Sequence, residues 1–190
     1  RVDLALVAAD AASDAHVVAP DREVTLSISG TSLVLGDEQR LRQAVANLVG
    51  NALAHTPAGS PVEISLDRSD SAPPGAEGAV ISLAVTDHGA GIPRPERESV
   101  FDRFWRADVS RQRAQGGAGL GLSIVAAVAL AHRGRVYLRD SPNRGATFVL
   151  ELPALVLPGP PAGVGPPAGV GPPAEAGEQS TQSTGLRAPR

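Results

Sequence analysis

The residues 37–57, DEQRLRQAVANLVGNALAHTP, restrict the fold of this chain more than any other stretch. Their apolar members recur at three- and four-residue spacing, which predicts an amphipathic helix that starts at Gly36 and Asp37 and ends before Pro57. Asn47 and Asn51 are four residues apart, so their side chains project from one stripe beside the apolar one. A neutral amide oxygen is a hard ligand that suits Mg²⁺. The alternative is that both are amides that only pack between helices.

The composition indicates a single globular domain with a buried core of its own. The chain has 190 residues, of which 42% are hydrophobic and 19% charged. A formal net charge of −3 argues against a nucleic-acid partner, because a duplex-binding face needs concentrated Lys and Arg. No cysteine is present, and the histidines lack zinc-like spacing. No apolar run is long enough to span a bilayer, so we expect no direct membrane insertion by this chain, which we interpret as a piece of a longer protein.

Periodicity predicts further elements around the asparagine helix. Helical spacing covers residues 2–18 and 123–132. Alternating apolar and polar residues predict strands at 24–29, 33–35, 62–67, 79–87, 135–139 and 147–152. Within the strand 79–87, Ile81, Leu83, Val85 and Asp87 share one face, which places a carboxylate at the edge of the face that packs on the helices.

Asp87 opens a glycine-containing turn, DHGAGIP, at residues 87–93. Gly89 and Gly91 permit positive φ angles and the close approach of another molecule to the backbone. A carboxylate at the mouth of such a turn can accept hydrogen bonds from an exocyclic amine. The alternative for this short motif is a plain turn that ends a strand.

A second glycine-rich segment, GGAGLGL at residues 116–122, leads into the apolar helix that follows. Free backbone N–H groups and the positive end of the helix dipole favour phosphate oxygens at such a position. The spacing fits neither a P-loop nor a dinucleotide fingerprint. A flexible hinge before a buried helix is the alternative.

The segment VFDRFW, residues 100–105, holds Phe101, Phe104 and Trp105 in a chain with only 3% aromatic residues. Such clustering indicates either core or a docking surface for a partner. From residue 154 to 190 the composition turns to Pro, Gly and Ala, with PPAGVG repeated at 160–165 and 166–171. We expect residues 154–190 to be a disordered tail, with docking of a polyproline-type segment as the alternative.

Taken in this order, the motifs resemble the catalytic and ATP-binding domain of bacterial two-component sensor histidine kinases, within the GHKL superfamily. The resemblance covers about residues 2–153. It implies the Bergerat-type ATP-binding fold, an α/β (α+β) two-layer sandwich in which a mixed, mostly antiparallel sheet carries three helices on one face. We therefore expect a catalytic and ATP-binding domain at residues 1–153, followed by the tail at 154–190.

The resemblance also implies roles for single residues. NLVGNALAH matches the N box, in which Asn51 would be a Mg²⁺ ligand and Asn47 would lie near the transferred phosphate. DHGAGIP matches the G1 box, whose Asp87 would accept a hydrogen bond from the adenine amino group. VFDRFW resembles the F box and GGAGLGL the G2 box, whose N–H groups would hold phosphates under a mobile lid. The implied ATP-binding set is Asn47, Asn51, Asp87, Gly89, Gly91, Ile92, Gly117, Gly119, Leu120, Gly121, Leu122 and, at the adenine end, Thr147 of GATF.

Two positions depart from the family pattern. Ala54 stands where relatives often carry a Lys or Arg that reaches a phosphate, and His88 replaces the usual asparagine of the G1 box. The loss of one charge-assisted contact is expected to weaken nucleotide binding by about 1–3 kcal/mol. The nearby arginines that can substitute are Arg103, Arg106, Arg111 and Arg113.

The resemblance implies a kinase that transfers the γ-phosphate of Mg-ATP to a histidine. None of His16, His55, His88 and His132 has the sequence context of that acceptor, so no autophosphorylation is expected from this chain alone. The expected partners are a histidine-containing dimerisation domain, in cis or in trans, and a downstream response regulator. We expect the domain on the cytoplasmic side, with the full-length parent attached to the plasma membrane. The alternatives are a GHKL-type ATPase and a nucleotide-binding docking module without kinase activity.

Overall fold

A computed structural model describes residues 1–70, 78–105, 119–140 and 145–155. In these ranges the α-helices are α1 (Leu4–Val18), α2 (Glu38–Ala54) and α3 (Gly121–Ala131). The strands are β1 (Val2–Asp3), β2 (Val24–Ser29), β3 (Leu33–Val34), β4 (Val62–Ser69), β5 (Val80–Asp87), β6 (Arg135–Arg139) and β7 (Thr147–Pro153). Two short 3₁₀ turns, Arg94–Glu96 and Ser99–Phe101, follow β5. No helix in the described ranges is long and apolar enough to cross a membrane.

The larger sheet has five strands in the order β2-β4-β5-β7-β6. β2 and β4 are parallel, because the chain between them crosses over through α2, and the other neighbouring pairs are antiparallel. β1 and β3 form a separate antiparallel pair, and Val34 also bridges to Ala154. The prediction of a mixed, mostly antiparallel sheet is confirmed.

The three helices cover one face of this sheet, as predicted. The alternation in β5 directs Ile81, Leu83 and Val85 into the core, and none of the three has any solvent exposure. Phe148, Leu150 and Leu152 of β7 belong to the same cluster, as do Leu41 and Leu48 of α2. Burial of these side chains contributes about 1.5–3 kcal/mol each. It also fixes the register in which β5 packs under α2 and β7 packs under α3.

The structure corrects the start of two helices. α1 begins at Leu4 rather than at residue 2, because Asp3 caps it through a hydrogen bond from the Ala5 N–H to Oδ1 at 3.0 Å. Val2 pairs with Val34 in the small sheet instead. α3 begins at Gly121, two residues before its predicted start, because a glycine-rich segment gives no clear apolar period at its end.

The folded part also extends slightly beyond its predicted end. The backbone N–H groups of Ala154 and Leu155 donate to the carbonyls of Ala79 and Leu33, at 2.9 and 2.7 Å. These two residues were expected to begin the tail, but the hydrogen bonds attach them to the domain. The rest of the predicted tail, 156–190, and the predicted hairpin tip around 71–77 lie outside the described residues.

Candidate functional site

The asparagines of α2 lie on one half-buried stripe beside the fully buried Leu48 and Ala52. The Nδ2 of Asn47 is buried, and it has no hydrogen-bond partner among the described residues. Leaving a buried amide donor unpaired costs about 1–3 kcal/mol, so a group at this position is expected to bring an acceptor to it. The side chain of Asn51 likewise makes no hydrogen bond within the described ranges, which leaves its hard amide oxygen available.

The start of α3 lies directly against Asn47. A Cβ on Gly121 would stand 3.8 Å from the Asn47 Cγ, which is ordinary van der Waals contact. Leu120 occupies the N-cap position of α3, and no side chain in the described ranges caps this helix. The N–H groups of the first turn therefore keep their capacity to bind an anion beside the unpaired amide of Asn47.

Asp87 is 5% exposed at the end of β5 and is held by the backbone on both sides. Its Oδ1 accepts hydrogen bonds from the N–H groups of Gly89 at 2.9 Å and Ala146 at 3.2 Å. Its Oδ2 has no hydrogen-bond partner in the described part of the chain. One carboxylate oxygen thus fixes the orientation of the side chain, and the other can accept a hydrogen bond from a ligand.

The glycines around Asp87 allow the backbone segments to approach each other. Gly91 has φ +77°, and a Cβ there would stand 2.8 Å from the carbonyl oxygen of Gly145. Gly145 has φ +102°, and its Cβ would stand 2.0 Å from the carbonyl oxygen of Asp87. Gly89 does not use a positive φ, but a Cβ there would stand 3.0 Å from Thr56 Cγ2, so its backbone packs closely on that methyl group.

The far end of this turn is fixed by Arg97. Its Nε donates to the carbonyl oxygen of Ile92 at 3.1 Å, and its Nη1 pairs with Asp140 after β6. Ile92 itself packs against the core. The Arg97 guanidinium, with a smaller contribution from Arg94, lowers the pKa of the Asp140 carboxyl.

Thr147 is not placed beside Asp87. It pairs with Thr86 across β5 and β7, and their hydroxyl oxygens lie 3.0 Å apart on the sheet face away from the helices. Ala146, one residue earlier, is the residue that contacts Asp87. This placement does not support the role at the adenine end that was expected for Thr147. The signal was present in the sequence, because Phe148 must enter the core and its neighbour in a strand then faces the opposite way.

The aromatic cluster does not form a single surface. Phe101 packs edge-on against Phe148, with ring centroids 6.2 Å apart, and Trp105 also packs on the core. Phe104 is 69% exposed, and its φ of +64° is unusual for a bulky residue. Its backbone N–H donates to the carbonyl oxygen of Gly119 at 3.1 Å, which joins this segment to the residues just before α3.

The other predicted residues differ in their surroundings. Leu120 and Leu122 are half-buried at the start of α3, and Leu122 packs against the core. His88 Nε2 lies 2.8 Å from Glu63 Oε1, while Ala54 and Arg103 are exposed. Gly117 and the candidate phosphate ligands Arg106, Arg111 and Arg113 lie outside the described residues.

Comparison with known proteins identifies the type of domain. The family described as histidine kinase-, DNA gyrase B- and HSP90-like ATPase matches residues 36–156. The sensor-like histidine kinase SenX3 of Mycobacterium tuberculosis is 43% identical over 157 residues, which is 82% of this chain and 36% of SenX3. The chain therefore spans about a third of the length of such relatives.

Solved structures give the same result at the level of the fold. The ATP binding domain of PrrB from Mycobacterium tuberculosis is 35% identical, with a TM-score of 0.63, over 82% of this chain and 96% of that domain. The mycobacterial sensor histidine kinase MprB is 31% identical, with a TM-score of 0.66, over 80% of this chain and 95% of the MprB chain.

Proposed function

This chain belongs to the family of histidine kinase-, DNA gyrase B- and HSP90-like ATPases, as a GHKL domain of the two-component sensor histidine kinase type, and on that premise we propose that it binds Mg-ATP and donates the γ-phosphate to a histidine on a separate dimerisation domain.

The observation that carries this proposal is the buried Nδ2 of Asn47, which lies unpaired beside the uncapped start of α3. A phosphate oxygen at this position accepts from the amide and from the first N–H groups of the helix together. Positioning and electrostatic stabilisation supply most of the catalysis in phosphoryl transfer, so a preorganised set of donors is what the reaction requires.

The adenine end rests on Asp87. Its Oδ1 is held by two backbone N–H groups, which keeps Oδ2 in a fixed direction for a hydrogen bond from the exocyclic amine. The burial of this carboxylate favours adenine over guanine, because guanine carries a carbonyl oxygen where adenine carries its amine. The unpaired carboxylate would then face another acceptor.

Asn51 is the proposed protein ligand for Mg²⁺. Its amide oxygen is hard and neutral, and it lies one helical turn after Asn47. Asn51 would hold Mg²⁺ through this one oxygen, and the ion would supply charge neutralisation at the nucleotide's phosphates.

The acceptor histidine is proposed to lie on the dimerisation domain, in cis or in trans. Phe104 is the residue of the aromatic cluster that we propose as a contact with that domain, since Phe101 and Trp105 pack into this one. A response regulator is the proposed downstream partner. The cytoplasmic side of the plasma membrane is the proposed location of the domain within its full-length parent.

Steady ATP hydrolysis is the less favoured function. Asn47 occupies the position where the hydrolytic GHKL proteins use a glutamate as general base, and an amide cannot take a proton from water. A domain of this kind conserves its phosphate for a histidine. Addition of the acceptor domain separates a kinase, which transfers label to it, from a module that only binds nucleotide.

A thermal melt with and without excess Mg-ATP tests the nucleotide site. At a ligand concentration about a hundredfold above Kd, binding stabilises by about 2.7 kcal/mol, which raises the melting temperature by roughly 5–10 °C. The rise should require Mg²⁺ and should be lost in Asp87→Asn. Asp67→Asn is the matched control. Asp87 pairs with Val62 at the start of β4, whereas the exposed carboxylate of Asp67 lies near the end of that strand. An unchanged melting temperature in the wild type would overturn the proposal.

A further inference from the structure

We propose that Arg22 is a positioning residue of the nucleotide site, because it holds the end of the asparagine helix against the turn that carries Asp87. The inference rests on the function proposed above. Arg22 lies in the connection between α1 and β2, before residue 36, where the match to the family begins. The segment upstream of that match therefore takes part in nucleotide binding as well as in the fold.

Arg22 closes the C-terminal end of α2 with three hydrogen bonds. Its Nη2 donates to the carbonyl oxygens of Leu53 and Thr56, each at 2.9 Å, and its Nη1 donates to the Thr56 hydroxyl. The last carbonyls of a helix have no partners within it, and a cation near them also interacts favourably with the helix dipole. The last turn of α2 has no basic residue of its own, so Arg22 supplies this charge from another element.

Thr56 connects this cap to the turn at Asp87. It is 8% exposed, and its hydroxyl donates to the Ala52 carbonyl at 2.7 Å. Its methyl group, Cγ2, would stand only 3.0 Å from a Cβ on Gly89, so the glycine backbone packs closely on it. The N–H of Gly89 then donates to Asp87 Oδ1. Arg22 is therefore linked to the carboxylate through Thr56 and Gly89.

The same cap lies one turn beyond Asn51. The N–H of His55 donates to the Asn51 carbonyl at 3.1 Å, which is the last helical bond before the segment that Arg22 holds. Loss of the cap would let this turn fray. Both Asn51 and Gly89 would then shift from their positions. Both the Mg²⁺ ligand and the adenine acceptor depend on that geometry in the proposed site. Mutation of residues that hold a ligating residue in place typically weakens binding by about 10–100-fold.

The test is isothermal titration of the 190-residue chain with Mg-ATP, at a temperature where every variant is folded by circular dichroism. Arg22→Ala should weaken binding about tenfold or more. Arg22→Lys should recover part of the loss, because it keeps the charge but cannot make the three-bond fork. Arg135→Ala is the control: it breaks an ion pair with Glu151 on the sheet face away from the helices, and it should leave the affinity within about twofold.

Thr56→Ser provides an independent test if Arg22→Ala does not fold. Serine keeps the hydroxyl that Arg22 contacts but removes the methyl group against Gly89, so affinity should fall while the cap remains. An affinity equal to the wild type in Thr56→Ser, or in folded Arg22→Ala, would overturn this inference alone. A wild type that does not bind Mg-ATP would instead overturn the proposed function.

Discussion

The backbone N–H of Ala146 donates to Oδ1 of Asp87 at 3.2 Å, and the N–H of Asp87 donates to the carbonyl oxygen of Ala146 at 2.9 Å. The carboxylate is therefore oriented by the start of β7 rather than by solvent. Gly145 precedes this contact and packs directly on the Asp87 carbonyl. The geometry of the proposed adenine acceptor is thus set by its neighbour Gly89 together with residues about sixty positions later in the chain.

Gly145→Ala should destabilise the domain by about 3 kcal/mol, because the φ of +102° suits glycine and the new Cβ would stand 2.0 Å from a backbone oxygen. Urea denaturation measures this loss. Gly59→Ala is the control, since Gly59 also has a positive φ but has nothing within 4 Å of its Cβ position. It should cost only about 1–2 kcal/mol, and equal losses in the two variants would show that the contact with Asp87 contributes nothing.

Asn47→Ala should raise the stability of the ligand-free domain by about 1 kcal/mol, because it removes an unpaired buried donor and improves helix propensity. The same variant should lose the rise in melting temperature with Mg-ATP. Gly50→Ala on the exposed face of α2 should bring a similar gain in stability and keep that rise. A ligand-free Asn47→Ala domain less stable than the wild type would mean that the amide is satisfied.

The single tyrosine of the chain, Tyr137, should ionise above its ordinary pKa of 10.0. Burial is the main cause of the raised pKa, and the neighbouring Glu151 carboxylate adds to it. Arg135 and Arg139 oppose the shift. The protonated phenol therefore contributes stability that is present below pH 10 and is lost as the pH rises through the raised pKa. Tyrosinate absorbance in the native and the urea-unfolded chain measures it, and a native midpoint at or below the unfolded one contradicts the prediction.

Asp140→Asn should lower stability at neutral pH and make no difference in acid. The pKa of Asp140 is lowered from 3.8, chiefly by the hydrogen bond from Arg97, so its contribution is present above 3.8 and is lost as the pH falls through the folded value. Denaturation midpoints of the two proteins should differ by a constant amount well above pH 3.8 and should approach each other as the pH falls below 3.8. A difference that persists unchanged at the lowest pH would exclude a role for the charge.

Phe104→Ala should leave the melting temperature and the ATP affinity nearly unchanged, because the ring is exposed, and it should lower phosphotransfer to an added acceptor domain. Phe101→Ala should instead lower stability by about 2–3 kcal/mol, since its ring packs on Phe148. Parallel melts, ATP titrations and transfer assays compare the two. Loss of stability in both variants would mean that Phe104 is ordinary core.

Local patterns in the sequence were sufficient for much of the fold. The apolar period predicted where α2 lies and that Asn47 and Asn51 share one stripe of it. Helical spacing alone decides which side chains share a face. Alternation in β5 likewise placed Asp87 on the face that the helices cover. These features depend on neighbours within a few residues, and the sequence displays those directly.

Contacts between distant segments were decided only by the tertiary structure. The family resemblance implied a place for Thr147 at the adenine end. The pairing of β5 with β7 directs its side chain to the opposite face and brings Ala146 to Asp87. Arg22 gave no signal of its own, because its three acceptors lie more than thirty residues away at a helix end. Strand register and the closing of helix ends result from packing of the whole domain, so local spacing fixes the elements while tertiary contacts fix which residues meet at the site.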